Sequence, residues 1–192
     1  MGKLIYLMTT TLDGFAADDA GKFDWARPTE EVHAFVNDQL RNVATILMGS
    51  KLYETMKVWE DIPTEGVGGF MDGPSQALND YAKIWHGANK IVYSTSLTDV
   101  AIANTTIERK FDVGAVRKLV AESARDVDIG GPHLAAEAIK ANIVDEYHHI
   151  IAPVLIGSGL RWLPEGAHSQ LQLVSTRTFE NGFVHLHYRK KI

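Results

Sequence analysis

The chain has no cysteine at all. Disulfide staples and thiolate nucleophiles are therefore excluded. Basic runs are missing too: Arg189-Lys190-Lys191 is a short terminal cluster, and the net charge is −5 with a pI near 5.9. An electrostatic case for nucleic acid is thus lacking. No apolar run approaches membrane-spanning length, and the first residues lack the charged-then-apolar pattern of a signal peptide. These absences lead us to expect a soluble, cytoplasmic protein without nucleic-acid or membrane partners. The rest of the composition, 45% hydrophobic and 22% charged, is that of an ordinary globular chain. A length of 192 residues suits a single domain over residues 1–192 with a full core.

Apolar runs punctuated by glycine organise the chain. Leu4-Ile5-Tyr6-Leu7-Met8, Thr45-Ile46-Leu47-Met48 and Lys90-Ile91-Val92-Tyr93-Ser94 read as strands buried on both faces. Between them, helical spacing runs from Thr29 to about Asn42, across Leu52–Met56 and from Ser75 to His86. Thr105–Glu108 reads as a short strand and Val113–Ser123 as a helix. Asp126–Ile129 is then a strand, Gly130-Gly131 a turn, and Pro132 the start of a helix to about Ala141. Val144–Ile151 is a long strand, and Pro153–Leu160 a glycine-bearing loop. Two alternating strands, Leu171–Thr176 and Phe183–Tyr188, flank the hairpin signal Asn181-Gly182. The segment from Glu60 to Ser75, with Pro63, Gly66, Gly68, Gly69, Gly73 and Pro74, reads as a long irregular loop. The pattern predicts an α/β fold. It has three layers, a mostly parallel central sheet with helices on both faces, and a C-terminal antiparallel hairpin.

Three predicted strand ends carry small or hydroxyl residues: Gly49-Ser50-Lys51, Ser94-Thr95-Ser96 and Gly130-Gly131-Pro132. Adjacent glycines either serve close helix–strand packing or let a ligand approach the backbone. A helix opening behind them presents free N–H groups and a positive dipole end, which suits the pyrophosphate of a dinucleotide. Other constellations are weaker. His148 and His149 are adjacent and so face opposite sides of a strand. His185 and His187 share a face but have no third ligand at a recognised spacing, so no metal site is expected. Gly157-Ser158-Gly159 is not a nucleophile elbow. Glu30 and Glu31 either serve a helix dipole or act as a pocket acid. Of Asp145 and Glu146, one points inward on its strand, and an edge or dimer-interface role suits it.

In order along the chain, several segments resemble the dihydrofolate-reductase-like superfamily. They are Thr11-Leu12-Asp13-Gly14-Phe15, Trp25, Met48-Gly49-Ser50-Lys51-Leu52-Tyr53-Glu54 and Gly130-Gly131-Pro132-His133-Leu134. Val144-Asp145-Glu146, the stretch Ala152–Gly159 and Phe179-Glu180-Asn181-Gly182 resemble one branch, the C-terminal reductase domain of the bifunctional riboflavin-biosynthesis deaminase/reductase. The deaminase half has no counterpart here, since its zinc-binding segments are missing.

The resemblance implies NADPH binding, hydride transfer to a heterocycle or ring-opened sugar, and a homodimer. By the same resemblance Thr9, Ala16 and Ala17 line the nicotinamide side. Gly49, Ser50 and Lys51 face the phosphates, and Ser94, Thr95 and Ser96 lie near the adenosine 2′-phosphate. Gly130 and Gly131, sometimes joined by a cis bond in the family, stand beside the cofactor with Pro132, His133 and Leu134. Glu31 or Glu30 falls where folate reductases carry their pocket acid. Where the family often has arginine, this chain has Ser50 and Thr95. Arginine grips phosphate bidentately, so the choice between NADPH and NADH stays open. The expected activity is an NAD(P)H-dependent reduction of a C=N or C=O carbon, with a ribosylaminopyrimidine of riboflavin biosynthesis as a possible substrate. A pteridine or dihydrofolate reductase and a non-catalytic nucleotide-binding module are the alternatives.

Overall fold

A computed structural model of the protein describes residues 1–65 and 75–191. The glycines predicted to loop between Gly66 and Pro74 lie outside the described residues. Among the described residues ten strands form two sheets. The main sheet holds β1 (Leu4–Thr11), β3 (Val43–Gly49), β4 (Asn89–Tyr93), β5 (Thr105–Glu108), β6 (Asp126–Gly130), β7 (Glu146–Ala152), β9 (Leu171–Thr178) and β10 (Val184–Lys190). Their order is β5-β4-β3-β6-β1-β7-β10-β9. The first six in that order are parallel, while β10 runs antiparallel to both β7 and β9. β2 (Phe15–Ala17) pairs with β8 (Leu160–Arg161) in a small antiparallel ribbon. The continuous apolar runs became central strands because both of their faces are covered, as parallel sheets require. The hairpin turn forms as its Asn-Gly signal indicates. Gly182 has φ +84°, and its N–H donates to the Phe179 carbonyl at 2.9 Å.

Among the described residues five α-helices cover the sheet: α1 (Glu30–Leu40), α2 (Ser50–Met56), α3 (Gln76–Gly87), α4 (Val113–Glu122) and α5 (Pro132–Lys140). Three side-chain clusters result. Tyr81 and Trp85 of α3, Leu40 of α1 and Tyr53 of α2 pack on Ile46, Met48 and Val92 from one face of the sheet. Val116 and Val120 of α4 and Ala135, Ala138 and Ile139 of α5 pack on Leu47, Val127 and Ile129 from the other. Val32 joins Ile150, Phe179 and Phe183 beneath the hairpin. Leu78, Met48 and Ile129 are fully buried, and each contributes about 1.5–3 kcal/mol by leaving water.

The structure differs from expectation in places. The stretch from Pro153 to Leu160 ends in a strand, because Leu160-Arg161 folds back on β2. That pairing needs a glycine: a Cβ on Gly159 (φ +137°) would sit 2.1 Å from the Ala17 carbonyl oxygen. Helix α1 stops at Leu40, and β9 extends to Thr178.

Candidate active site

Six parallel strands place their C-terminal ends on one edge of the sheet, and the adjacent order β4-β3-β6-β1 brings the predicted turns together there. Ser94-Thr95-Ser96 follows β4, Ser50-Lys51 opens α2 after β3, Gly131-Pro132 opens α5 after β6, and Thr9 lies near the end of β1. Register ties the central pair: Met48 is opposite Gly130, and Gly49 is opposite Tyr93. Ligands in open α/β sheets bind at this edge.

Three helix starts are satisfied by side chains. Thr29 Oγ1 accepts from Val32 N, Ser75 Oγ from Leu78 N, and Asp112 Oδ1 from Ala115 N. The starts of α2 and α5 are different. Their N-caps are Gly49 and Gly131, and neither has a side chain to offer. These two starts follow neighbouring central strands, so their uncapped N–H groups and dipole ends gather at one point of the rim. Gly131 has φ +84°, a region costly for any residue with a Cβ. A Cβ on Gly130 would meet Leu52 Cδ2 at 2.5 Å, so α2 packs directly over the double glycine. No cis peptide bond occurs among the described residues, so the two glycines are joined in trans.

The other sequence-predicted residues fall as follows. Ala16 and Ala17 lie on β2, beside the glycine loop that Asp13 closes by accepting from Gly157 N at 2.8 Å and Ile156 N at 3.2 Å. Lys51 and His133 are exposed in the first turns of their helices, and Leu134 is half-buried against the α4–α5 cluster. Ser94 is buried, and its hydroxyl accepts from Ser96 N at 3.3 Å and Leu97 N at 3.0 Å, which shapes the turn after β4. One residue at this turn was missed. Arg109, just past β5, donates through Nη1 to the carbonyls of Ser94 (3.0 Å) and Leu97. A guanidinium thus reaches this turn from the end of the neighbouring strand. The parallel pairing of β4 with β5 delivers it, and nothing local in the sequence announces that pairing.

Both candidate acids are held by protein donors. Glu30 accepts from Ser75 Oγ at 2.6 Å and from Ala77 N at 2.8 Å, so it supports the start of α3. Glu31 accepts from Arg177 Nη2 at 3.0 Å and Glu180 N at 3.3 Å, which ties α1 to the hairpin. A different acid lies closer to the double glycine in sequence. Asp128 on β6 is half-buried, its Oδ1 is shielded from solvent, and that oxygen has no hydrogen-bond partner. Burial pushes this carboxyl up to about 7. On β7, burial drives His149 down to about 4; its Nε2 lies 2.6 Å from Thr10 Oγ1, and Trp162 stacks on the ring at 4.0 Å.

The histidine strands also differ from the reading of single strands. His185 and His187 do share a face, but the neighbours that matter come from β7, where His148 is opposite His187. Glu146 completes a group of three that sequence spacing alone had not assembled.

Comparison with known proteins agrees with this architecture. Uncharacterized protein YyaP of Bacillus subtilis (strain 168) is 27% identical over 192 residues, covering 97% of this chain and 94% of that one. A putative riboflavin biosynthesis protein from Shewanella sp. PV-4 superposes with a TM-score of 0.74 at 19% identity, covering 99% of both chains. Dihydrofolate reductase from Enterococcus faecalis, complexed with NADP(H) and RAB-propyl, superposes with a TM-score of 0.65 at 14% identity, covering 100% of this chain and 98% of the other. The fold is therefore dihydrofolate-reductase-like. No described helix is long and apolar enough to cross a membrane. Residues 2–185 match the model of the RibD C-terminal domain, and the chain belongs to that family.

Proposed function

We propose that the protein is an NADPH-dependent reductase that passes a hydride to a C=N or C=O carbon of a small heterocycle, with a ribosylaminopyrimidine as the first substrate to try. The observation that carries this reading is the pair of uncapped, glycine-led helix starts at adjacent strand ends. Uncapped N–H groups there suit a pyrophosphate, and the missing Cβ atoms at Gly130 and Gly131 let Leu52 of α2 pack close, which holds the two helix starts beside each other. The family membership and the NADP(H) complex of a protein with the same fold support the choice of cofactor.

Bound at this rim, the reduced nicotinamide supplies the hydride. The chain supplies position. Gly49, Ser50 and Lys51 hold phosphate from one side and Gly131, Pro132, His133 and Leu134 from the other. Thr9, Ala16 and Ala17 border the reacting ring, and Ser94, Thr95, Ser96 and Arg109 take the 2′-phosphate. Glu30 and Glu31 already spend their oxygens on protein donors, so the proton reaches the substrate nitrogen or oxygen from water. The same engagement favours a second reading, a nucleotide-binding module without turnover. A homodimer is also proposed: β9 is an edge strand, exposed along nearly its whole length, with Leu173 and Val174 facing solvent.

Calorimetry with NADPH and NADH is the first test. Micromolar or tighter binding of NADPH is expected, and Arg109→Ala should weaken NADPH while leaving NADH unchanged. No heat from either nucleotide defeats the proposal. Oxidation of bound NADPH by ribosylaminopyrimidines, pteridines or small carbonyls would then identify the reductase and its class of substrate. Binding without oxidation by any of them favours the non-catalytic module.

A further inference from the structure

At the opposite end of β7 the chain builds a second polar cluster. Glu146 opens that strand, His148 follows two residues later on the same face, and His187 is directly across on β10. His148 lies four residues before the rim end of β7, about 13 Å away at the usual rise of about 3.3 Å per residue. The nucleotide rim and this cluster are therefore separate places.

The ligand atoms of these three side chains all lie within 4.8 Å of one another. Glu146 Oε2 is 3.4 Å from His187 Nε2 and 3.9 Å from His148 Nε2. Bonds of about 2.0–2.2 Å to a tetrahedral zinc ion separate neighbouring ligand atoms by roughly 3.3–3.6 Å. The Glu146–His187 pair already has that spacing, the Glu146–His148 pair needs a small contraction, and the two imidazole nitrogens lie within 4.8 Å of each other. His187 Nε2 is shielded from solvent and makes no hydrogen bond. His148 is oriented from behind: its Nδ1 lies 3.2 Å from His185 Nε2, the outer contact that leaves Nε2 free to ligate. Lys3 Nζ holds the other carboxylate oxygen of Glu146 at 2.8 Å, which fixes that side chain from the solvent side. The side chains of Glu146 and His187 keep 14% and 16% of their surface exposed, enough for an ion to enter with water as a further ligand.

We infer that Glu146, His148 and His187 form a binding site for a divalent first-row transition ion such as zinc. Two imidazole nitrogens argue against magnesium and calcium, which take oxygen ligands. The ion links β7 to β10 where the sheet changes from parallel to antiparallel, so it stabilises the attachment of the hairpin.

The test uses the full chain, stripped of metal by chelator and titrated with zinc by calorimetry. One ion per chain is expected, with affinity falling by about tenfold or more in both His187→Ala and Glu146→Gln, since even outer contacts carry losses of that order. Absence of binding overturns the inference. So does binding that both variants retain, because other histidines would then hold the ion. X-ray absorption on the zinc-loaded natural chain serves where a variant fails to fold. Two imidazole nitrogens with oxygen donors at about 2.0–2.2 Å support the site. A shell of oxygens alone, or of more than two imidazoles, rules it out.

Discussion

The helices of this sheet start in two different ways. Those of α1, α3 and α4 are closed by Thr29, Ser75 and Asp112, and α3 is further held by Glu30 from another helix. Those of α2 and α5 begin on glycine with no side chain to receive their first N–H groups. Starting on glycine rather than on a side-chain cap costs a few tenths of a kcal/mol. The open starts are not scattered. They follow the two neighbouring central strands β3 and β6, where a ligand can take the place of a cap. A little stability is given up at the part of the rim where the proposed nucleotide would gain from it.

Closing an open start should have the largest effect. Gly49 has φ −80°, which any residue adopts, and a Cβ there meets nothing within 4 Å. Gly49→Asp should therefore fold normally, cap α2 and place a carboxylate where the proposed phosphate would sit. NADPH affinity is expected to fall by about a hundredfold or more, roughly 2.7 kcal/mol, while thermal stability holds or rises slightly. Unchanged affinity by calorimetry would remove the contrast. Gly131→Val is a poorer probe, since φ +84° makes the substitution strain the backbone as well as fill space.

The next largest effect belongs to a closed start. Glu30→Ala removes the acceptor for Ala77 N and Ser75 Oγ and should cost about 1–3 kcal/mol in urea denaturation. NADPH binding should survive it. Asp128 sharpens the comparison through pH. Its carboxyl is held up to about 7 in the folded chain, above its ordinary unfolded value, so the folded state binds the extra proton between the two. Stability should fall as pH rises from about 4 to 7 and level off above that. Asp128→Asn should remove this slope and raise the melting temperature at pH 8 more than at pH 5. Equal shifts at both would show that the carboxyl is not strained. Smallest is Asp112→Ala, expected to cost about 1 kcal/mol with no change in nucleotide affinity.

The fold was readable because its signals are local. The runs Leu4–Met8 and Thr45–Met48 are apolar on both faces, Gly130-Gly131-Pro132 ends one element and starts another, and Asn181-Gly182 turns the hairpin. What escaped depends on distance along the chain. Glu31 meets Arg177 from 146 residues away, and Arg109 reaches the Ser94 turn only because β5 pairs with β4. His148 faces His187 through the register of two strands, which spacing within either strand does not reveal. The two-residue strand β8 is too short to carry a periodic pattern, and Gly159 admits it through a contact with Ala17.

That contact draws a boundary inside one short loop. Gly157 faces open space, whereas Gly159 presses on the main chain of β2. Gly157 still has φ +78°, so in a saturation library position 157 should accept asparagine or aspartate at a cost in backbone strain, and position 159 almost nothing but glycine. A designer wishing to graft a recognition element beside the proposed nicotinamide wall therefore meets backbone strain alone on one side of Ser158, and strain joined to a main-chain collision on the other.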